Sequence, residues 1–325
     1  MDSLKEILKT ALYKLEDNAK HTDELSGIPS GFPSLDRVTG GWENSDLIVI
    51  ASRPGMGKTA LVLSIARNVS VEFKIPTLFI SLEMSGVQIA NRLLCIESEI
   101  VLQKIRTGKL EDVEWMQLDS KIKLLVDVPL FFQTKLYELS AIKNECQEFL
   151  KNHKKGVIII DNLQQIINSE KQYNSRDHEL GDIVRELKML AKTIDLPIII
   201  TSSLNRSVET RGGYLIPKLN DLKDSGEFEN VADLVIFIHR PEHYGITQDE
   251  DGNSTRGLAT LIIAKSRYGV TCDVNMHFRS EFGRFEEWDL SGVPTFFDSE
   301  KLTSFESSMN SERDSASRVN NDPPF

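Results

Sequence analysis

The chain has 325 residues, 40% hydrophobic and 27% charged, with a formal net charge of -11 and a pI near 5.2. That is enough apolar material for one full α/β core plus ends, while the acidic balance argues against a protein that coats nucleic acid with a uniformly basic surface and leaves room for a locally basic channel. Cys95, Cys146 and Cys272 are far apart and form no C-x-x-C pair, which argues against a zinc site or disulfide framework and fits a reducing cytoplasm, and no stretch approaches the roughly 20 apolar residues needed to span a bilayer.

Leu4, Ile7, Leu8, Leu12 and Leu15 recur at helical spacing and predict a short amphipathic helix at the start of the chain. Its apolar stripe needs a partner, either on its own domain or on a neighbouring subunit. With the polar stretch that follows, residues 1–24 read as a linker helix and linker. From Asp46 onward, apolar runs alternate with helical patterns: Leu47 to Ala51, Thr77 to Ser81, Val157 to Asp161 and Pro197 to Thr201. Strands apolar on both faces and joined by helix-length connections predict a mostly parallel sheet covered by helices on both sides. Asp233 to His239 and Leu258 to Ala264 extend it, and Asp273 to Phe278 with Arg284 to Glu287 predicts an antiparallel edge. One domain is therefore expected over residues 25–290. Residues 291–325, rich in serine, asparagine and charge, read as a disordered tail. Trp42, Trp115 and Trp288 are too scattered for a base-stacking platform and read as packing residues.

The chemistry concentrates after the first strand. Ser52-Arg53-Pro54-Gly55-Met56-Gly57-Lys58-Thr59 opens a helical pattern, the context that a nucleotide phosphate loop requires. Glycines let backbone N–H groups turn toward phosphates, the helix N-terminus adds positive potential, Lys58 reaches the β and γ phosphates, and the Thr59 hydroxyl ligates Mg²⁺. Ser52 stands where the consensus has its first glycine, a position that closes the loop without neutralising charge. Asp161 ends an apolar strand at the carboxyl edge of the sheet, the edge where open α/β folds bind ligands, and suits a Mg²⁺ contact. Glu83, just past another strand on that edge, suits a general base that polarises water.

Eight ordered segments resemble the C-terminal motor domain of the DnaB-family replicative helicases, which belong to the RecA-like ATPases: Gly31 to Asp36, Ser52 to Ala60, Ser81 to Met84, Ile160 to Gln164, Leu204 to Ser207, Asp221 to Gly226, Ala232 to Leu234 and Ala264 to Gly269. The S-L-E-M segment and the K-x-R near the end separate this family from other phosphate-loop ATPases. The resemblance implies an α/β, RecA-like fold that binds ATP and Mg²⁺, with Glu83 as catalytic base and Asp161 as the metal-strand acid. It implies that Lys265 and Arg267 act in trans on the γ-phosphate of the adjacent subunit, so that hydrolysis needs a homohexameric ring. It also implies that Lys223, Asp224 and Gly226 belong to a loop facing single-stranded DNA in the ring's channel, with Arg206, Arg211 and Lys218 adding positive potential. Forked DNA, primase and a helicase loader are the partners expected of the family.

Three departures stand out. The glutamine that in the family contacts the γ-phosphate is Ser203 here, and the tyrosine after the strand acid is Asn162. The family's helical N-terminal collar has no counterpart in the sequence, whose first helix resembles the linker that follows that collar. Two other readings remain: a RecA-like recombination or remodelling ATPase that does not unwind duplex, and a hydrolysis-deficient DNA-binding module.

Overall fold

The structure is a computed structural model describing residues 3–6, 8, 9, 12, 25–211, 213–222, 225–249, 251–269 and 271–288, without the side chains of 225, 226 and 229. Of the predicted N-terminal helix, residues 4–6, 8, 9 and 12 are helical, with Leu4, Leu8 and Leu12 exposed. The predicted tail, 291–325, lies outside the described residues.

Alternation of apolar side chains builds the sheet. Strand β1 (Leu47–Ser52) is buried along its whole length. Its Ile48 and Ile50 enter one apolar cluster, with Leu61, Val62 and Ile65 of helix α2 (Lys58–Val71); its Leu47, Val49 and Ala51 enter a second, with Leu187, Leu190 and Ala191 of the later helix Arg176–Ile194. The same division runs through β2 (Thr77–Ser81), β4 (Val157–Asp161), β5 (Ile198–Ser203) and β6 (Leu234–His239). Strands with period-two side chains and helices on both faces leave no water-facing side, which is why these segments read as continuous apolar runs. Each fully buried Ile or Leu is worth about 1.5–3 kcal/mol. Exposed ion pairs are worth about 0–1 kcal/mol, so the two apolar layers hold the sheet.

The strand order is β3-β2-β4-β5-β1-β6-β7-β8-β9. The first six are parallel; β7 (Leu258–Ser266), β8 (Asp273–Arg279) and β9 (Arg284–Glu287) continue the sheet antiparallel, as predicted. The β6–β7 register shifts between Val235 and Ile236. Two details differ from the sequence reading. The edge strand β3 (Leu130–Gln133) was not anticipated: it is four residues long, with Phe131 and Phe132 exposed, too short and too wet to show a buried run. Trp115, expected to pack, is 52% exposed on helix Asp112–Leu125, whereas Trp42 is fully buried. No helix among the described residues is long and apolar enough to cross a membrane.

The remaining helices in chain order are α1 (Pro33–Thr39), before β1; α3 (Gly86–Ser98), α4 (Leu102–Thr107) and α5 (Asp112–Leu125), between β2 and β3; α6 (Leu139–Asn152), before β4; α7 (Arg176–Ile194), before β5; and α8 (Ser225–Val231), before β6. Ser85 starts α3 with a capping box: its hydroxyl accepts from Gln88 N, and the Gln88 side chain accepts from Ser85 N.

Candidate nucleotide site

The phosphate loop links the carboxyl end of β1 to the first turn of α2. Gly55 and Gly57 sit at φ +81° and +100°, a left-handed backbone that side chains resist. A Cβ on Gly55 would lie 2.7 Å from His243 Cε1, and one on Gly57 3.2 Å from the Phe285 ring. Glycine is thus required for backbone shape and for space.

Lys58 Nζ donates to the Ser52 carbonyl at 3.0 Å. Burial lowers its pKa to about 8; Asp161 and Glu83 oppose the drop, and Arg53 adds to it. Thr59 Oγ1 donates to Asp161 Oδ2 at 2.8 Å, and Thr201 Oγ1 donates to Asp161 Oδ1 at 2.5 Å. Adjacent strands bring Asp161 and the Glu83 segment together: Ser81 pairs with Asp161, and Leu82 N donates to the Asp161 carbonyl. Asn162, after a cis peptide bond, donates from Nδ2 to Glu83 Oε1.

Lys58, Thr59, Glu83 and Asn162 border a cavity of about 590 Å³, with Asp161 buried behind Thr59 and not among its lining residues; the volume is within the roughly 300–1,000 Å³ usual for small-molecule sites. Pro54, Gly55, Gly57 and Ser203 also line it, together with Arg92, Arg240, Phe278 and the turn from Ser280 to Gly283, among others. Ser52, Arg53 and Met56, predicted to bind nucleotide through the loop, are buried and are not among the lining residues. The Arg53 guanidinium turns instead to Glu209 and to the Leu204 carbonyl. Ser203 N donates to Gln164 Oε1 at 3.3 Å, and Gln164 Nε2 donates to Ser202 Oγ at 2.9 Å, so a glutamine amide from the β4 side packs where β5 ends.

Asn162, Gln164, Arg92 and Arg240 were not proposed from sequence as site residues. Arg240 follows the carboxyl end of β6; its guanidinium lies 3.9 Å from the Phe278 ring centroid and donates to the Gly55 carbonyl at 3.4 Å. The rule that found Asp161 and Glu83, a polar residue at a strand's carboxyl end, points equally to Arg240. The neighbouring His239 is buried, and burial drops its pKa to about 4, so it stays neutral at physiological pH.

Lys265 and Arg267 sit elsewhere. Because β7 runs antiparallel to β6, its end pairs with the start of β6, at the sheet edge opposite the cavity. Lys265 Nζ donates to the Ala232 carbonyl at 2.5 Å, and Arg267 Nε lies 3.0 Å from Asp233 Oδ1 with its side chain 49% exposed. Asp233 also holds Lys188 Nζ at 2.5 Å and Leu47 N at 2.8 Å. Nearby, Tyr268 OH donates to Asp46 Oδ2, and burial together with Asp233 pushes the Asp46 carboxyl up to about 6.

The predicted DNA-contacting residues divide. Arg206 and Lys218 are exposed. Arg211 is committed to Asp221 Oδ1 at 2.6 Å and to the Ile216 carbonyl at 3.1 Å. Gly226 lies in the first turn of α8, and Lys223 and Asp224 fall outside the described residues. Among the described residues, no group of three or more His, Cys, Asp or Glu side chains forms a metal cluster.

Comparison with known proteins places this geometry. The family described as "DnaB-like helicase C terminal domain" matches residues 27–287. The chain is 36% identical over 284 residues to the replicative DNA helicase DnaB of Geobacillus stearothermophilus, covering 87% of this chain and 61% of that one. It is 33% identical over 297 residues to the replicative DNA helicase DnaC of Bacillus subtilis (strain 168), covering 90% of this chain and 64% of that one. The chain thus spans about three-fifths of the length of these relatives. Among solved structures it is similar to the ATPase domain of G40P, at a TM-score of 0.80 and 30% identity over 87% of this chain and 99% of that one. It is also similar to a DnaB-like replicative helicase studied for its interactions with primase, at a TM-score of 0.78 and 30% identity over 89% of this chain and 68% of that one. By its sequence match and its RecA-like fold, the chain belongs to the DnaB-like helicase C-terminal domain family.

Proposed function

We propose that this chain hydrolyses MgATP at the junctions between copies of itself in a homohexameric ring, and uses the cycle to move along single-stranded DNA and part the duplex at a fork. The observation that carries the proposal is the separation of two charge sets across one sheet. Lys58, Thr59, Asp161 and Glu83 gather at the carboxyl edge, and Lys265 and Arg267 lie at the other end of β6. Six residues of strand separate the two edges by roughly 15–20 Å. A cation at that far edge serves no nucleotide of its own subunit, but it suits the open side of a neighbour's.

The donor set fits magnesium triphosphate. The Thr59 hydroxyl and Asp161 carboxylate already share a hydrogen bond, one neutral and one anionic oxygen side by side. Bound Mg²⁺ supplies Lewis-acid stabilisation of charge on the phosphate oxygens. Lys58, whose hydrogen bonds among the described residues are to the neutral Ser52 oxygens, transfers to phosphate without breaking an ion pair to a described residue. Glu83, fixed by Asn162, accepts a proton from the attacking water as the γ-phosphoryl bond to the β-phosphate breaks, leaving ADP and phosphate. Arg267 and Lys265 of the next subunit stabilise the charge that develops on the transferring group. Exposed Arg206 and Lys218, with Lys223 and Gly226, grip DNA phosphates without reading sequence. Sixfold repetition concentrates these few cations in one channel, which reconciles DNA binding with a net charge of -11 per chain. Primase and a loader are the protein partners proposed, in the cytoplasm.

The test is steady-state ATP hydrolysis with and without single-stranded DNA, together with native mass and forked-duplex unwinding, for wild type and Glu83→Gln. Expected are a hexameric mass, DNA-stimulated hydrolysis and unwinding in the wild type, and loss of hydrolysis with retained assembly in the variant. DNA-stimulated hydrolysis without unwinding would favour a remodelling ATPase; a wild type that neither assembles nor hydrolyses defeats the proposal.

A further inference from the structure

The segment from Leu204 to Leu222 stands on the phosphate loop. Leu204 N donates to the Ser52 carbonyl at 3.1 Å, and the Leu204 carbonyl accepts from Arg53 Nη1 at 2.7 Å. The other two guanidinium nitrogens of Arg53, Nε at 2.8 Å and Nη2 at 2.7 Å, converge on Glu209 Oε1. The Arg53 side chain is 10% exposed and that of Glu209 45% exposed. A permanently charged, buried guanidinium in the phosphate loop therefore takes its counter-charge from the neighbouring segment.

That segment is fastened to itself. Asn205 N donates to the Asp221 carbonyl at 2.8 Å, Leu204 bridges Leu222, and Arg211 pairs with Asp221. It carries exposed Arg206 and Lys218 and leads directly into Lys223. Leu204, Val208 and Leu222 seat it in the second apolar cluster, and its polar tie to the phosphate loop runs through Ser52 and Arg53, with Arg206 between the two residues that Arg53 holds and Lys218 further along.

We infer that the Arg53–Glu209 pair is the link by which nucleotide in the phosphate loop sets the position of the DNA-facing segment of the same subunit, with Glu209 as a positioning residue. The inference rests on the reading given under Proposed function. A triphosphate brings several negative charges to a loop whose cations are Lys58 and Arg53. Lys58 leaves the Ser52 carbonyl, the same oxygen that holds Leu204 N. Arg53 is drawn with the loop, and every nitrogen of its guanidinium is tied to Leu204 or Glu209. The segment then follows the loop, as coupling between two sites requires of an element that both sites bias.

The test measures the affinity of a labelled oligothymidylate for the full chain with and without MgADP–beryllium fluoride. The wild type is expected to respond to the nucleotide by about tenfold, inside the roughly 5–150-fold range of coupled sites. Glu209→Gln, at an exposed position, should cut the response to below about threefold while nucleotide affinity and DNA-free hydrolysis stay within about twofold, and Glu209→Asp should keep most of it. An unchanged response in Glu209→Gln overturns the inference and leaves the proposed function standing. Loss of nucleotide affinity in Glu209→Gln also overturns it, because the pair would then only shape the loop. A wild type that binds no single-stranded DNA defeats the proposed function and the inference with it.

Discussion

The two ends of the central strands treat charge in opposite ways. At the carboxyl edge, Lys58 rests on neutral oxygens of Ser52 and borders an open cavity. At the amino edge, Lys188 is buried against the Asp233 carboxylate, which is itself 1% exposed and also holds Leu47 N. A cation on a carbonyl is available to an incoming anion; a cation locked to a buried carboxylate is not. Arg267 combines both conditions, because it touches the locked carboxylate while half of its side chain faces solvent. The two sheet edges thus differ in how tightly they hold charge, and under the proposed function the fixed network at the amino edge is the footing for Lys265 and Arg267.

The largest effect expected from this contrast is on Arg267. Arg267→Ala should lower turnover in the assembled protein by about 10³-fold or more, yet change unfolding free energy by under about 1 kcal/mol, since the pair it loses is half-exposed. Phosphate release and chemical denaturation of the same preparation check both halves. Equal losses in rate and stability would erase the distinction.

Lys188→Met should do the reverse. It leaves Asp233 without its buried counter-charge and should cost about 3–5 kcal/mol of stability, read from the denaturation midpoint. A cost below about 1 kcal/mol would mean that the amino edge is no more locked than an ordinary surface.

The pH dependence of nucleotide binding sharpens the other side of the comparison. Burial lowers the Lys58 pKa to about 8, and phosphate favours the charged form, so binding takes up a proton once pH exceeds that value. Affinity for ATP should therefore hold below pH 8 and fall above it, by up to about tenfold per unit. Lys58→Arg, charged throughout, should flatten the profile in calorimetric titrations.

The smallest effect is local. Ser85→Ala removes the α3 cap beside the Glu83 segment and should cost about 1 kcal/mol of stability. Thermal denaturation measures it; a loss near 4 kcal/mol would mean that the segment is held by more than the cap.

Most of the frame was legible in the sequence, because the parallel strands are buried on both faces and leave apolar runs with chemistry-bearing residues at their ends. That logic singled out Asp161, Glu83 and the loop from Ser52 to Thr59, which the fold brings to one sheet edge, and it points in hindsight to Arg240. What stayed hidden depends on distance along the chain. Nothing in spacing pairs Arg53 with Glu209, or brings Gln164 to Ser202 and Ser203. Arg53 was expected to serve nucleotide and Arg211 to add positive potential toward DNA, and in the fold each is paired with a carboxylate, Glu209 and Asp221. The strand β3 escaped because an exposed four-residue edge carries no burial pattern.

The shifted pairing between β6 and β7 sets a phase. Ile263 lies opposite Ile236, but Lys265 lies opposite Val235, so one additional residue, Ala264, is accommodated between two successive rungs. Opposed residues share a sheet face, and Ile236 and Val235 belong to different apolar layers. The odd-numbered side chains of β7 therefore change sides at that point, which puts Lys265 on the side of α8 instead of α2. Regular pairing through this point would set Ala264 opposite Val235 and Lys265 opposite Leu234, on the α2 side, so the one extra residue is what aims this cation at the α8 layer.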